Sequence, residues 1–433
     1  MNGVNYGIVD MRNNIKKYIT IVAGVLLCGQ VYASKIFIPM DADNQNNHLK
    51  AYGVAYAALK AGMEVDWMLN YEGGSFCMDD VDEIEKLCKI RGVNYNIISD
   101  ARYLAIVEKI ANPDFNADII KLEKPPKIAV YTPPGKQPWD DAVTLVLTYA
   151  EIPYDKIYDD AVLESKLPEY DWLHLHHEDF TGQYGKFWAQ YQNTTWFQED
   201  VRNSEEIAKR HGFKKVSQLK LAVAKKIREF VAGGGYLFAM CSATDTYDIG
   251  LSASGTDICD VPFDGDPAAP NAQQKLDYTQ GFAFKDYRIS LNPYEYEFSD
   301  IDNTHFRQVN PDVDYFSLFT FSAKFDPVPT MLCQNHTTTV KGFMGQTTSF
   351  RKETLKTSVL VMGDYKPKNE ARYIHGEYGK GTWTFYGGHD PEDYEHSIGD
   401  PPTDLSLHPT SPGYRLILNN VLFPAARKKP RKT

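Results

Sequence analysis

Cysteine is scarce: six in 433 residues, with no Cys-x-x-Cys pair. That spacing excludes a zinc ribbon or a thioredoxin-type redox motif. No apolar run approaches the roughly 18 residues that a membrane span needs. Positive charge is the minority, with 46 Lys and Arg against 57 Asp and Glu. Five of the basic residues crowd into Arg427–Thr433, so the rest of the chain is more acidic still. An acidic body repels phosphate backbones, which argues against a nucleic-acid partner. The Gly233-Gly234-Gly235 run has no Lys-Ser or Lys-Thr behind it and is not a phosphate loop. Nothing in the sequence calls for an organic cofactor. Repeated units and low-complexity tracts are also missing.

What is present is ordinary globular material, 43% hydrophobic and 24% charged, long enough for two domains. Tyrosine is abundant, 28 residues, and hints at a surface that faces a sugar or a peptide. Near the start, Arg12, Lys16 and Lys17 precede a short apolar run, Ile19 to Cys28, and Ala33 offers a small residue for cleavage. This pattern predicts a signal peptide over residues 1–33 and an exported chain, periplasmic or extracellular. The same run also fits a buried first helix. Removing it leaves Cys77, Cys88, Cys241, Cys259 and Cys333, an odd number, so at least one thiol is free.

Apolar periodicity predicts an α/β protein. Residues 34–125 read as a βαβα module: strands at Lys35–Pro39 and Val65–Leu69, helices at Leu49–Leu59, Val81–Ile90 and Ala101–Ile110, and a parallel sheet. Pro125-Pro126 marks the boundary. Over 126–425 a second α/β series follows. Its strands are Ile128–Tyr131, Trp172–His176, Tyr236–Met240 and Thr382–Tyr386. Its helices are Pro138–Ile152, Ser217–Val231 and Tyr414–Leu422. Residues 253–352 break the series with aromatics, prolines and short alternating runs, and read as a strand-rich insertion. Residues 426–433 form a basic tail.

Three clusters carry chemistry. The first is Cys241, delivered by the buried run Tyr236–Met240 between small residues Ala239 and Ala243. That suits a nucleophile on a sharp strand-to-helix turn, and equally a packed thiol. The second is Gly387-Gly388-His389-Asp390-Pro391-Glu392, also just past a strand. In a parallel sheet both runs open onto one edge, where His389 would act as base with Glu392 or Asp390 orienting it. Read alone, it is a glycine turn with an exposed histidine. The third is Trp172-Leu-His-Leu-His-His-Glu-Asp179. By strand period His174 and His176 share a face, and with Glu178 they form a candidate divalent-metal set, which would make a metal-dependent hydrolase, or simply a polar cluster. Gly182, Tyr184 and Gly185 follow as a candidate mobile cover. Asp140 and Asp141 read as helix caps.

Taken together, Cys241, His389 and the hairpin Tyr378-Gly379-Lys380-Gly381 resemble the class I glutamine amidotransferase-like superfamily, in its trehalose-utilisation branch, over about Lys127–Leu422. The resemblance implies a flavodoxin-like sheet, a cysteine-dependent hydrolase or amidase, and a small-molecule, sugar or peptide ligand. In that family a Gly-x-Cys-x-Gly elbow and a His-Pro-Glu segment supply the triad. Here the flanking glycines are Ala239 and Ala243, and Glu392 stands three residues beyond His389, with Asp390 inserted. The resemblance also allows a non-catalytic binding protein. The whole chain is similar to exported bacterial proteins that carry the name asparagine synthetase B. The motifs of that chemistry are absent: position two is Asn2, Arg12 follows Met11, and no Ser-Gly-Gly-x-Asp-Ser loop occurs.

Overall fold

The computed structural model describes residues 34–133, 141–302, 310–395, 397 and 399–427. The predicted signal segment, the first residues of the predicted 138–152 helix and most of the basic tail lie outside these. The architecture is α/β, built on two sheets.

The first sheet comprises β1 (Ser34–Ile38), β2 (Val65–Leu69), β3 (Ser75–Asp79), β4 (Asn96–Ser99) and β5 (Asp118–Leu122), in the order β4-β1-β3-β2-β5. Every pair in it is antiparallel, which corrects the expected parallel module. The cause is local. Asn70, Glu72, Gly73 and Gly74 all take positive φ, at 57°, 41°, 72° and 84°. They turn the chain straight back, so β3 pairs beside β2 as a hairpin instead of a helix crossing over. A Cβ on Gly73 would sit 2.2 Å from the Met40 carbonyl oxygen, so glycine is required by space as well as by angle.

The second sheet holds β6 (Ile128–Tyr131), β7 (Asp155–Ile157), β8 (Trp172–Leu175), β9 (Tyr236–Met240), β10 (Tyr315–Leu318), β11 (Thr339–Lys341), β12 (Phe350–Arg351), β13 (Leu360–Tyr365), β14 (Glu370–Tyr378) and β15 (Gly381–Tyr386). One stretch, β7-β6-β8-β9-β15, is parallel throughout. Its inner strands are buried on both faces, as a covered parallel sheet demands. Beyond β15 the pairing turns antiparallel through β14, β13, β10 and β11, with β12 beside β14. The 253–352 stretch thus lends β10, β11 and β12 to the main sheet.

The longer helices are α1 (His48–Lys60), α2 (Asp82–Arg91), α3 (Asp100–Ala111), α4 (Ala142–Tyr149), α5 (Thr195–Arg210), α6 (Val216–Gly233), α7 (Ala243–Ser252) and α8 (Pro412–Leu422). No helix among the described residues is long and apolar enough to cross a membrane. One apolar core runs from the first sheet through α1, α4 and α8 to β6 and β9, so the two sheets share it. A second core covers the opposite face of the large sheet.

The seam between the sheets is polar and buried. Arg415 on α8 donates to the carbonyls of Met40 (2.9 Å) and Gly73 and to the Tyr52 hydroxyl (3.1 Å). His48 stacks on His336 with ring centroids 4.2 Å apart. Burial, then the Arg415 charge, pushes His48 down to about 2 and His336 to about 4. Burial likewise lowers His375 to about 4. In the unfolded chain these rings titrate near 6.5. The unfolded state therefore binds more protons below that pH, and the stability from the neutral rings, full above about 6.5, is lost as pH falls toward 4. We expect urea unfolding to show a loss on the order of a few kcal/mol between pH 7 and 4.5, with a shallower slope in His336→Gln. An equal slope in the variant would contradict this.

Candidate active site

β6, β8, β9 and β15 end at the same edge of the large sheet, and each sends a reactive side chain there. From β9 comes Cys241, which holds a left-handed φ of 52° and leads directly into α7. A non-glycine residue pays about 1–3 kcal/mol for that conformation, so the surrounding structure must impose it. Two contacts do so: its N–H donates to the Gly388 carbonyl at 3.1 Å, and the Gln346 N–H donates to Sγ at 3.3 Å. Cys241 is 3% exposed. Burial pushes the thiol above its ordinary value, while the amides of Thr347, Gln346 and Ser242 facing the sulfur pull it back.

Past β15, Gly387 and Gly388 thread a narrow gap. A Cβ on Gly387 would lie 2.2 Å from the Thr348 carbonyl oxygen, and Gly388 takes a φ of 106° against the Phe343 ring. The chain then brings the His389 backbone close to Cys241. The spot where a Cβ on Gly345 would sit is 3.0 Å from the His389 backbone nitrogen and 3.2 Å from Cys241 Sγ.

The third arm is β8. His174 and His176 share a face, as the strand period requires, and each reaches Asp141 Oδ2 at 3.3 Å. Asp141 lies beyond β6 and caps α4, accepting from the Thr144 N–H at 2.8 Å through its other oxygen. Burial opposes charge on Asp141, but the facing imidazoles of His176 and His174 outweigh it and hold the carboxyl well below the usual range. On its far side His176 Nε2 lies 2.9 Å from His389 Nδ1. Asp141, His176 and His389 thus form one continuous line that reaches the neighbourhood of Cys241.

His177 sits across that line, its ring 4.5 Å from His176 and 5.7 Å from His389. The first turn of α7 anchors this segment: Ser242 Oγ donates to the His177 carbonyl at 3.0 Å and Thr246 Oγ1 to that of Glu178 at 3.0 Å.

The acids expected to orient His389 have other partners. Glu392 Oε2 lies 3.2 Å from His408 Nδ1. Asp390 accepts from the Glu392 N–H at 2.9 Å and from Thr403 Oγ1 at 2.8 Å. In the expected metal set, His174 and His176 meet, but they meet Asp141. Glu178 belongs to none of the donor sets among the described residues. Two donor sets, each with its atoms within 4.8 Å, share His176: Asp141 with His174 and His176, and His176 with His177 and His389. A third, Asp257, Cys259 and Asp264, gathers around Lys215, which pairs with Asp257 at 2.5 Å and Asp264 at 2.9 Å.

The Gly182–Gly185 turn expected as a mobile cover is buried and tied down. Gln346 Nε2 donates to the Gly185 carbonyl at 2.7 Å and to that of Tyr296 at 3.1 Å. Lys186 Nζ donates to the carbonyls of Ser290 and Asn292 at 2.9 and 3.1 Å, and burial lowers it to about 8. Aromatic rings border this cover, among them Phe187 against Tyr296 and Trp188 against Tyr294. Sequence reasoning missed Gln346, which sits in the irregular stretch with no motif around it. It placed Asp141 only as a cap. All five described cysteines are free thiols.

No family model matches the chain, and no curated protein matches it. Among solved structures, two cytoplasmic proteins of Salmonella typhimurium are similar at 12% and 15% identity. Each comparison covers 70% of this chain and 100% of the other, with TM-scores of 0.34 and 0.33. A GH42 beta-galactosidase of G. stearothermophilus is similar at 12% identity over 61% of this chain and 28% of its own, with a TM-score of 0.25. Likenesses this distant decide neither fold nor activity, and the case for a function rests on the side chains at the sheet edge.

Proposed function

We propose that this chain is an exported cysteine-dependent hydrolase or amidase of the class I glutamine amidotransferase-like kind. The observation that carries the reading is Cys241 in left-handed backbone at a strand–helix junction, its sulfur facing amide N–H groups, with His389 arriving from the next strand. The order β7-β6-β8-β9-β15 reads second, first, third, fourth, fifth, the order of a flavodoxin-like sheet, and supports the resemblance.

The residues assign themselves roles by proton accounting. With its hydrogen placed on Nδ1, 3.3 Å from Asp141 Oδ2, His176 presents Nε2 as the acceptor for His389 Nδ1–H. His389 Nε2 then carries the lone pair and serves as the base. It takes the Cys241 proton as sulfur attacks the acyl carbon, and the carbonyl electron pair moves to oxygen, toward the Ser242 amide. Collapse of that adduct breaks the bond to the leaving amine, which receives the proton from His389. Water, deprotonated by the same ring, then hydrolyses the thioester. His176 and Asp141 thereby replace Glu392 as the groups behind the base.

The test is timed alkylation of the native chain with iodoacetamide and peptide mapping. Cys241 is expected to react about tenfold or more faster than Cys77, Cys88 and Cys259, and His389→Ala to slow it by about tenfold or more. Labelling no faster than those buried thiols ends the proposal. A second reading, a non-catalytic carbohydrate- or peptide-binding protein, draws on the rings beside the site, with Tyr294 74% and Tyr296 39% exposed. It predicts slow labelling together with thermal stabilisation by such a ligand that survives Cys241→Ala.

A further inference from the structure

Three imidazoles converge where the proton line ends, and the thiol chemistry uses only two of them. We propose that His176, His177 and His389 form a binding site for a divalent transition ion, zinc being the best match, and that the bound ion silences Cys241.

The donor set fits. Their ligating nitrogens lie within 4.8 Å of one another, and three neutral imidazoles leave a fourth position open. Two nitrogens on one tetrahedral zinc sit about 3.3 Å apart. The His176–His389 pair, at 2.9 Å, needs to open slightly and the widest pair to close, which ring rotation supplies. The backbone beneath is held. The His176 carbonyl accepts from the Ala243 N–H at 3.3 Å, that of His177 from Ser242 Oγ at 3.0 Å, and the His389 N–H donates to the Met344 carbonyl at 2.9 Å. Behind His176, Asp141 supplies the carboxylate that metal-bound histidines characteristically keep on their other nitrogen.

The alternative set of Asp141, His174 and His176 is closed off. His174 is 0% exposed, spends Nδ1 on the Phe238 carbonyl at 3.2 Å, and is flanked by the Trp172 and Phe238 rings. His177 is only partly buried and gives the outer trio an approach from solvent.

The silencing follows from the tautomer and rests on the hydrolase reading above. Zinc on His389 Nδ1 displaces that proton, and the neutral ring then carries its hydrogen on Nε2, the nitrogen that must be bare to accept from Cys241. No bond to sulfur is needed.

The experiment uses the full chain, stripped with chelator, and zinc chloride. Equilibrium dialysis is expected to find one zinc per chain, with affinity falling about tenfold or more in both His177→Ala and His177→Gln at unchanged thermal stability. Cobalt as a probe is expected to give visible absorption bands that both variants lose. One equivalent of zinc is expected to slow Cys241 alkylation by about tenfold or more, reversed by chelator. No stoichiometric zinc, or equal affinity in the variants, overturns the site. Zinc bound to a chain whose Cys241 still labels quickly overturns the silencing. Slow Cys241 labelling in the zinc-free chain instead sinks the hydrolase reading, while dialysis still decides the site.

Discussion

Asp141→Asn is expected to slow Cys241 alkylation by about 10²–10⁴-fold, the range that a positioned general base contributes. The helix start should survive, because asparagine caps as well as aspartate and its oxygen can still accept from the Thr144 N–H. That orientation places the amide NH₂ where Oδ2 now faces His174 and His176. A donor there forces His176 to accept at Nδ1 and carry its hydrogen on Nε2. Across the 2.9 Å contact, His389 must then accept at Nδ1 and move its own hydrogen to Nε2. The base is blocked without a change in the position of any heavy atom. Rearranging the contacts behind two buried imidazoles should also cost about 1–3 kcal/mol of stability, so rates need to be measured well below the variant's melting temperature. An unchanged rate in a folded variant would show that the proton line does not feed Cys241.

That line is where sequence and structure part company. An apolar run ending in Cys241 or in Gly387-Gly388-His389 marks the C-terminal end of a strand, because burial and period 2 leave their signature locally. Asp141 is legible as a cap for the same reason: its first oxygen serves a neighbour three residues on. The work of its second oxygen depends on β8 lying against β6, a fact of topology that no local pattern encodes. Glu392 is the opposite case. It stands close to the family spacing, but its carboxylate goes to His408. The expected parallel module left out β3, which follows a glycine pair and returns beside β2 as a hairpin. Gln346 joins the sulfur to the 185–186 backbone from an irregular stretch whose only organisation is tertiary.

Arg415→Met should be among the most destabilising single changes in the chain, by about 3–5 kcal/mol at pH 7.5. Arg415 is 0% exposed, and its guanidinium satisfies two carbonyls and a phenol contributed by the first sheet and α1. Methionine fills the volume of the stem but takes the donor away from the Gly73 carbonyl, while the Met40 carbonyl keeps only His48 Nε2 at 3.0 Å. The Tyr52 hydroxyl keeps Asn419, whose amide donates to the carbonyls of Leu332 and Gln334 at 3.0 and 2.8 Å, so part of the seam remains. The pH dependence should move the other way. The Arg415 charge is the second cause, after burial, that holds His48 and His336 low. Without it their folded values rise toward 6.5, and the acid loss between pH 7 and 4.5 shrinks. Urea unfolding at the two pH values separates the effects: a large drop at pH 7.5 with a smaller further drop at pH 4.5. An equal further drop in both chains would mean that the cation is felt only as a hydrogen-bond donor and that burial alone keeps the two rings neutral.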